Sequence, residues 1–455
     1  MDQLTNIPYD RLEVGMEARI KRVCSTDDMY VFAHASGNFN PLNLPSDNKA
    51  DSVAPSMWVG ALISAVLGNK LPGPGTLYLS QTFRFLGRAR EGDELTACVR
   101  LIEKSANQHV RFATWVEQAD GFRIAEGEAE VLAPTEPLTL TVSDIPDLMV
   151  QKHAHFERLL KQTKDMPPMP TAVVAPEEAN SLGGALLAAN HDLIRPILIG
   201  NAAKIRQVAV ELGADISSYE LIDIPDHSLA AAKAVELVRQ GCAKALMKGH
   251  LHTDQLLKAV LKKDGGLRTD RRLSHVYVMD VPGLDHLLMV TDPAINVAPD
   301  LEAKVDIIQN AIDLAQALGV TTPKVGVLSA VETVNPKIPS TLDAAILSKM
   351  AERGQIKGGI VDGPLAMDNA IDINAAKTKG IESLVAGKAD ILVVPNLESG
   401  NMVIKELTFF AHAEAGGLVM GARCPIILTS RSDDDKNRLA SCAIAVMYAQ
   451  RLARI

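Results

Sequence analysis

The stretch PILIGNAAKIRQVAVELG, Pro196 to Gly213, holds a strand, a break and a helix in that order. Pro196 to Ile199 is a short β-rich run, Gly200-Asn201 ends it, and a helical stretch follows to Leu212, where Gly213 stops it. The same rhythm recurs on both sides. Upstream, Thr171 to Ala175 precedes a helical Glu177 to Asn190. Downstream, Ser228 can cap a helix with Leu229, Val235 and Leu237 on its apolar face, and Gly241 ends it before a strand at Lys244 to Met247. Further strands are expected at Lys324–Leu328, Gly359–Val361, Asp390–Val394 and Pro425–Thr429. Strands that alternate with helices build a largely parallel α/β sheet. One exception is His275–Val281 and His286–Thr291, joined by Pro282-Gly283-Leu284-Asp285, which reads as an inserted hairpin.

Residues before Ala133 have a different texture. From Leu77 to about Val131 the pattern has period two, with Leu77, Leu79, Phe83 and Phe85 on one face and Tyr78, Ser80, Thr82 and Arg84 on the other. Runs at Leu95–Glu103 and Val110–Val116, broken at Asn107 and Asp120-Gly121, continue an antiparallel meander. Met57 to Leu67 is a helix apolar on nearly all sides, closed by Gly68-Asn69, and must be wrapped by something. A curled antiparallel sheet around one buried helix is a hot-dog fold, expected for residues 1–133. Prolines at 134, 137, 146, 167, 168 and 170 mark residues 134–170 as a linker, with one polar helix at Leu148–Lys164. The α/β part then occupies residues 171–455.

The chain's 455 residues suit two or three domains. A net charge of −9 without a dense Lys/Arg run disfavours nucleic acid and anionic membranes as partners, so anionic ligands must be held by local sites. Met1 to Asp10 lacks the basic, apolar pattern of a secretory signal, and no apolar run approaches the roughly 20 residues of a membrane span. Cys24, Cys98, Cys242, Cys424 and Cys442 are scattered with no CxxC spacing, which argues against disulfides and zinc and fits a cytoplasmic protein.

In α/β sheets, ligands collect where strands end. Five expected strand ends carry polar or small residues: Lys248-Gly249-His250, Thr291-Asp292-Pro293, Asp362-Gly363-Pro364, Pro395 to Asn401, and Thr429 to Asp433. Each alone is more often a turn than a site. Together they make Lys248, Gly249, Thr291, Asp292, Ser399, Gly400 and Asn401 candidates for holding an anionic ligand. Ser399-Gly400-Asn401 precedes a helical run expected at Val403–Ala411, whose free amides could hold an anion. Arg431 offers a planar two-pronged donor, and the Ser430 hydroxyl beside it can donate too, which suits acyl or phosphoryl chemistry without a metal. His250 and His252 have a metal-compatible spacing but no third ligand. Asp362, Asp368 and Asp372 fit turns better than a cation site. No P-loop or strand-led GxGxxG occurs.

The runs MKGHLHT (247–253), VTDPAINVAPDLEAK (290–304), VDGPLAMDNAI (361–371), PNLESGNMVIKELTFFA (395–411) and LTSRSDD (428–434) resemble the phosphate acetyl/butyryltransferase family, nearer its butyryl branch. The resemblance implies two α/β subdomains of the isocitrate/isopropylmalate dehydrogenase-like fold, at about 171–300 plus 422–455 and about 301–421, with the active cleft between them. It also implies a homodimer or higher homo-oligomer, no bound cofactor, and exchange of phosphate for coenzyme A on a short acyl group, so that acyl-CoA, CoA, inorganic phosphate and acyl phosphate are the partners. Ser430 falls on the family's oxyanion-stabilising serine and Arg431 on its phosphate-binding arginine. The acetyl branch places a carboxylate, proposed to deprotonate CoA, seven residues after that serine. Here the position is Asn437, and an amide cannot take a proton. Either Asp433 substitutes, the thiol ionises without a dedicated base, or activity is weak. A second active-site arginine of the acetyl branch has Leu257-Lys258 in its place, with Lys258 the nearest substitute.

FAHASGNFNPLN, Phe32 to Asn43, resembles the signature of MaoC-type enoyl-CoA hydratases, as do Pro55–Gly60 and Leu71–Thr76. That family's catalytic carboxylate and histidine fall on Asn38 and Asn43, neither of which titrates. His34 is the nearest titratable base, read first as a structural or ligand-contacting residue and second as a relocated catalytic one. Two readings of this domain follow, oligomerisation with residual acyl-CoA binding or an active hydratase, and Asn38, Asn43 and Asn437 together leave open a third for the whole chain, a non-catalytic acyl-CoA sensor or scaffold.

Overall fold

The computed structural model describes residues 3–45, 52–141, 154–428 and 435–453. Two compact units divide the chain, Met1–Val150 and Gln151–Ile455.

In the first unit, the long strands Glu94–Lys104, His109–Gln118 and Arg123–Leu132 form an antiparallel meander flanked by Glu17–Val23 and Leu77–Gln81. Helix Ser56–Asn69 lies against this sheet and buries Trp58, Val59, Ile63, Val66 and Leu67. Each such side chain contributes about 1.5–3 kcal/mol of transfer free energy. This is the hot-dog arrangement. Two local expectations are corrected. The helix runs through Gly68 and is capped by Lys70, whose amide donates to the Val66 carbonyl, because Gly68 keeps a helical backbone. Within one chain, moreover, Leu77, Tyr78, Leu79 and Ser80 are all exposed, and the pairing slips between Tyr78 and Ser80, so the alternation there does not sort into a covered and an open face.

The second unit is built on one eleven-stranded sheet. In spatial order its strands are Glu220–Asp223, Ile194–Gly200, Met169–Val174, Ala245–Lys248, Ile426–Ile427, Glu414–Met420, Ser274–Asp280, Leu288–Thr291, Ile391–Val393, Lys324–Leu328 and Ile360–Leu365. The first five are mutually parallel, as the strand–helix rhythm predicts. Three antiparallel pairings then follow across Glu414–Met420, Ser274–Asp280 and Leu288–Thr291, after which the sheet is parallel again but reversed. The sheet is therefore mixed. Strand Glu414–Met420 escapes the sequence reading because Gly416-Gly417 interrupts its pattern. Those glycines let strand Ser274–Asp280 and helix Asp435–Leu452 approach: a Cβ on Gly417 would lie 2.7 Å from the Val276 carbonyl oxygen, and one on Gly416 3.1 Å from the Ser441 nitrogen. The hairpin Ser274–Thr291, placed by resemblance in the first subdomain, pairs on both sides with strands of the second.

Helix Ala154–Thr163 occupies part of the expected linker and packs against helix Asp435–Leu452. Helix His227–Arg239 is capped by Asp226, which accepts from the Leu229 amide at 2.8 Å, rather than by Ser228. Among the described residues no helix is long and apolar enough to cross a membrane.

Candidate active site

Register brings the ends of four strands onto one row of the sheet. Met247 pairs with Ile427, Val276 pairs with both Leu418 and Thr291, and Thr291 pairs with Val393. Because Val419 pairs with Ile426 in antiparallel fashion, Leu418 falls opposite Ile427. Met247 and Thr291 are thus four strand spacings apart, about 19 Å. Their loops leave the row in opposite directions, since three antiparallel steps separate them.

On the first side, Lys248 ends its strand opposite Val174 and one residue past the Met247–Ile427 pair, and residue 428 leads on in sequence toward Ser430. Lys248 Nζ donates to the Gly249 and Leu251 carbonyls at 3.2 and 3.4 Å. Gly249 donates its amide to the Val174 carbonyl, and a Cβ there would meet the Ala175 oxygen at 2.4 Å. Only glycine fits this approach, so Gly249 shapes the loop whether or not it touches a ligand. Ser430, Arg431 and Asp433 lie outside the described residues. Beside the loop, the buried Glu177 carboxylate accepts from the Asn201 amide at 2.9 Å and faces Lys204 and His227 at 3.2 and 3.3 Å. Burial alone would raise its pKa, but the Asn201 amide, His227 and Lys204 outweigh it and hold the carboxyl below its ordinary range. His250 stands 3.7 Å from Glu178.

On the second side, the peptide joining Thr291 to Asp292 is cis. Thr291 Oγ1 donates to the His275 carbonyl at 2.8 Å. Both Asp292 oxygens are occupied: they accept from the amides of Ala294, Ile295 and Asn296 at 3.0, 3.0 and 3.1 Å and from Asn296 Nδ2 at 2.6 Å. Asp292 is 2% exposed. It organises the loop, and a buried carboxylate would repel rather than hold phosphate.

The anion-binding premise at Ser399-Gly400-Asn401 needs correcting. The helix begins at Leu397, not Val403, with Asn396 as its cap. The Ser399 amide already donates to Asn396 Oδ1 at 2.9 Å and the Gly400 amide to the Asn396 carbonyl at 3.1 Å, so neither amide is open to an anion. Gly400 serves packing instead, because a Cβ there would sit 2.9 Å from Pro293 Cα. Asn401 is exposed. Asp362-Gly363-Pro364 lies inside strand Ile360–Leu365, where Asp362 accepts from the Ser383 hydroxyl and from the Gly363 amide at 2.8 Å.

Asn437 Oδ1 accepts from the Ala415 amide at 2.9 Å, which ties the final helix to strand Glu414–Met420. Lys258 is exposed and Leu257 half-buried on helix Thr253–Val260. His275 went unnoticed in the sequence. It is 2% exposed, its ring lies 4.4 Å from that of Tyr277, and Nδ1 has no hydrogen-bond partner. Burial, opposed by the Asp292 charge, pushes its pKa down to about 4. Among the described residues no cluster of three or more His, Cys, Asp or Glu could hold a metal ion.

In the first unit, His34 lies in the last turn of helix Thr26–Ser36, its ring 5.6 Å edge-on from Phe39. Asn38 Oδ1 accepts from the Asn40 amide at 3.2 Å, and Asn43 Nδ2 donates to the Val53 carbonyl at 3.0 Å. His34 and Asn38 are exposed and Asn43 is half-buried.

Crossover helices around a mixed, largely parallel sheet define the second unit as an α/β fold. A profile described as "phosphate acetyl/butaryl transferase" matches residues 226–446. A phosphate acetyltransferase of Rhizobium meliloti is 58% identical over 296 residues, 65% of this chain and 94% of that protein. A phosphate butyryltransferase of Clostridium beijerinckii is 43% identical over 297 residues, 65% of this chain and 98% of that protein. A branched-chain phosphotransacylase from Enterococcus faecalis V583 superposes with a TM-score of 0.55 at 31% identity, covering 62% of this chain and 99% of its own. The chain belongs to the phosphate acetyl/butyryltransferase family.

Proposed function

We propose that residues 171–455 transfer short acyl groups between phosphate and coenzyme A, with Ser430 and Arg431 at the reacting carbonyl. The observation that carries this reading is the common row of strand ends, on which the Lys248 loop stands beside the strand that runs into Ser430. In the direction of acyl-CoA synthesis, the CoA sulfur attacks the carbonyl carbon of an acyl phosphate, the C–O bond to phosphate breaks, and the thiol proton leaves the sulfur. Ser430 would stabilise the oxyanion and Arg431 the departing phosphate. Asn437 cannot accept the proton, and its oxygen already serves the Ala415 amide. Asp433 is the candidate acceptor. Lys248 and Gly249 would border the ligand, whereas Thr291 and Asp292 would hold the opposite loop in shape.

The test is phosphate-dependent release of thiol from acetyl-, propionyl- and butyryl-CoA by the whole chain. No release with any of the three would sink the reading. Ser430→Ala and Arg431→Ala should each lower the rate on the order of 100-fold, and unchanged rates would remove both from the reaction.

For the first unit, the same proposal assigns acyl-CoA binding and self-association without hydration. It is supported by the hydratase-like motif on a hot-dog fold with asparagine at both proton-transferring positions, and by the exposed strand Leu77–Gln81, which among the described residues is an edge of its sheet where another copy could pair. Loss of crotonyl-CoA absorbance on adding the chain would overturn it.

A further inference from the structure

Arg438 stands in the first turn of the last helix under conditions that disfavour a cation. Its side chain is 7% exposed, and among the described residues its one side-chain partner is the exposed Asp435, which Nη1 reaches at 3.5 Å, the outer limit of a hydrogen bond. A guanidinium has five N–H donors, so the described residues leave most of its bonding capacity unmatched in a place water hardly reaches. The contact with Asp435, the first residue of helix Asp435–Leu452, also places the charge beside the helix's N-terminal end, where the macrodipole repels cations. The stem crosses helix Ala179–Asn190 at Gly184, where a Cβ would lie 2.6 Å from Arg438 Cδ. A glycine inside a helix costs about 1 kcal/mol relative to alanine. Burial, the helix dipole and Gly184 thus all count against Arg438 as a stabiliser of the fold, and an anion would offset them. Lys436 and Asn437 of the same turn face elsewhere, toward Glu414 and the Ala415 amide.

We infer that Arg438 is a second cation for the phosphate group of the reaction, acting with Arg431. The inference rests on the transacylase reading above. Position supports it. Arg431 precedes Asp435 by four residues, at most about 14 Å of extended chain, and the Arg438 guanidinium is turned back toward Asp435. The chemistry favours two charges. Inorganic phosphate and the leaving group of an acyl phosphate each carry about two negative charges near neutral pH, and the Arg431 guanidinium supplies one positive charge. Burial against Gly184 holds the Arg438 stem in place before a ligand arrives, so little side-chain freedom is lost on binding. Lys258, the other candidate for a second cation, is exposed and has no such support.

The test uses the whole chain. In thiol release, Arg438→Met should raise the KM for inorganic phosphate on the order of tenfold and that for acetyl-CoA by less than about twofold. Arg438→Lys, which keeps the charge without the two-pronged geometry, should fall between. Without phosphate, Arg438→Met should keep or raise the urea midpoint, because an apolar side chain of similar length removes a poorly paired buried charge. Added phosphate should raise the midpoint of the unsubstituted chain more than that of Arg438→Met, each compared with sodium chloride at equal ionic strength. A fall in the phosphate-free midpoint of Arg438→Met, failure to fold included, would make the guanidinium a tie of the fold and overturn the inference. So would an unchanged KM for phosphate, or an equal rise in the KM for acetyl-CoA. The midpoints need no turnover. A phosphate-dependent shift that is lost in Arg438→Met supports Arg438 even if thiol release fails, and a shift that survives in the variant overturns the inference even if thiol release is normal.

Discussion

Asn437 accepts the Ala415 amide through the same oxygen that a carboxylate would present. Aspartate there would keep this hydrogen bond, and a bond to the charged form weakens a carboxylate as a base. Asn437→Asp is therefore expected to change the rate of thiol release by less than about tenfold. A larger gain would show that the amide is what limits proton removal. His275 makes a prediction about stability. Its pKa falls from 6.5 in the unfolded chain to about 4 when buried, so between those values the unfolded state binds more protons. Its contribution is complete above about pH 6.5 and fades as pH drops toward 4. Glu177 acts in the same direction at lower pH: its folded pKa lies below the unfolded value, so the stability it adds is lost as pH falls through the folded pKa. Denaturant midpoints measured from pH 4 to 8 should show a shallower acid-side decline in His275→Phe than in the unsubstituted chain.

Helix Leu397–Phe409 shows why element boundaries are harder to read than element types. Its first turn, Leu397-Glu398-Ser399-Gly400, looks like loop because Ser and Gly favour loops, yet Asn396 caps it and Gly400 is required by contact with Pro293. Asn396→Ala should cost about 1 kcal/mol of folding free energy, read from the urea midpoint. Gly249→Ala should cost more, roughly 1–3 kcal/mol, because the new Cβ would lie 2.4 Å from a backbone oxygen rather than from a side chain that can swing away. Strands flanked by helices, such as Ile194–Gly200 and Lys324–Leu328, were legible because each holds a short β-rich stretch, Ile197 to Ile199 and Val325 to Leu328. Glu414–Met420 was not, because the contacts that demand its glycines come from other elements, Val276 of the neighbouring strand for Gly417 and Ser441 of the final helix for Gly416. For the same reason the sequence named Asp292 but not its task, which depends on the amides of Ala294, Ile295 and Asn296.

At the scale of the molecule, the Rhizobium meliloti relative is covered to 94% by 296 residues of this chain, so family membership rests on the second unit without the first. A chain beginning at Gln151 should keep phosphate-dependent thiol release within about threefold of the whole protein. A collapse of activity with a folded product would mean that the first unit takes part in the reaction. The overall order of a hot-dog fold before an α/β fold was legible from period and texture. The reversal of direction across the second sheet was not, since it depends on which strands pair rather than on which strands exist.

That reversal has a mechanical consequence. Across the turning point, Val419 and Ile426 form the one register pair between strands Glu414–Met420 and Ile426–Ile427 among the described residues, and the eleven-stranded sheet is narrowest there. A bend between its halves disturbs the fewest hydrogen bonds at this seam. Helix Asp435–Leu452 braces it, touching Glu414–Met420 and Leu301–Ala317 on one side and Ala179–Asn190 and Ile426–Ile427 on the other. Only residues 428–434 separate the seam's short strand from this splint, and Ser430 and Arg431 are among them. Any flexing of the halves as ligands enter or leave would therefore load this helix, which touches elements of both.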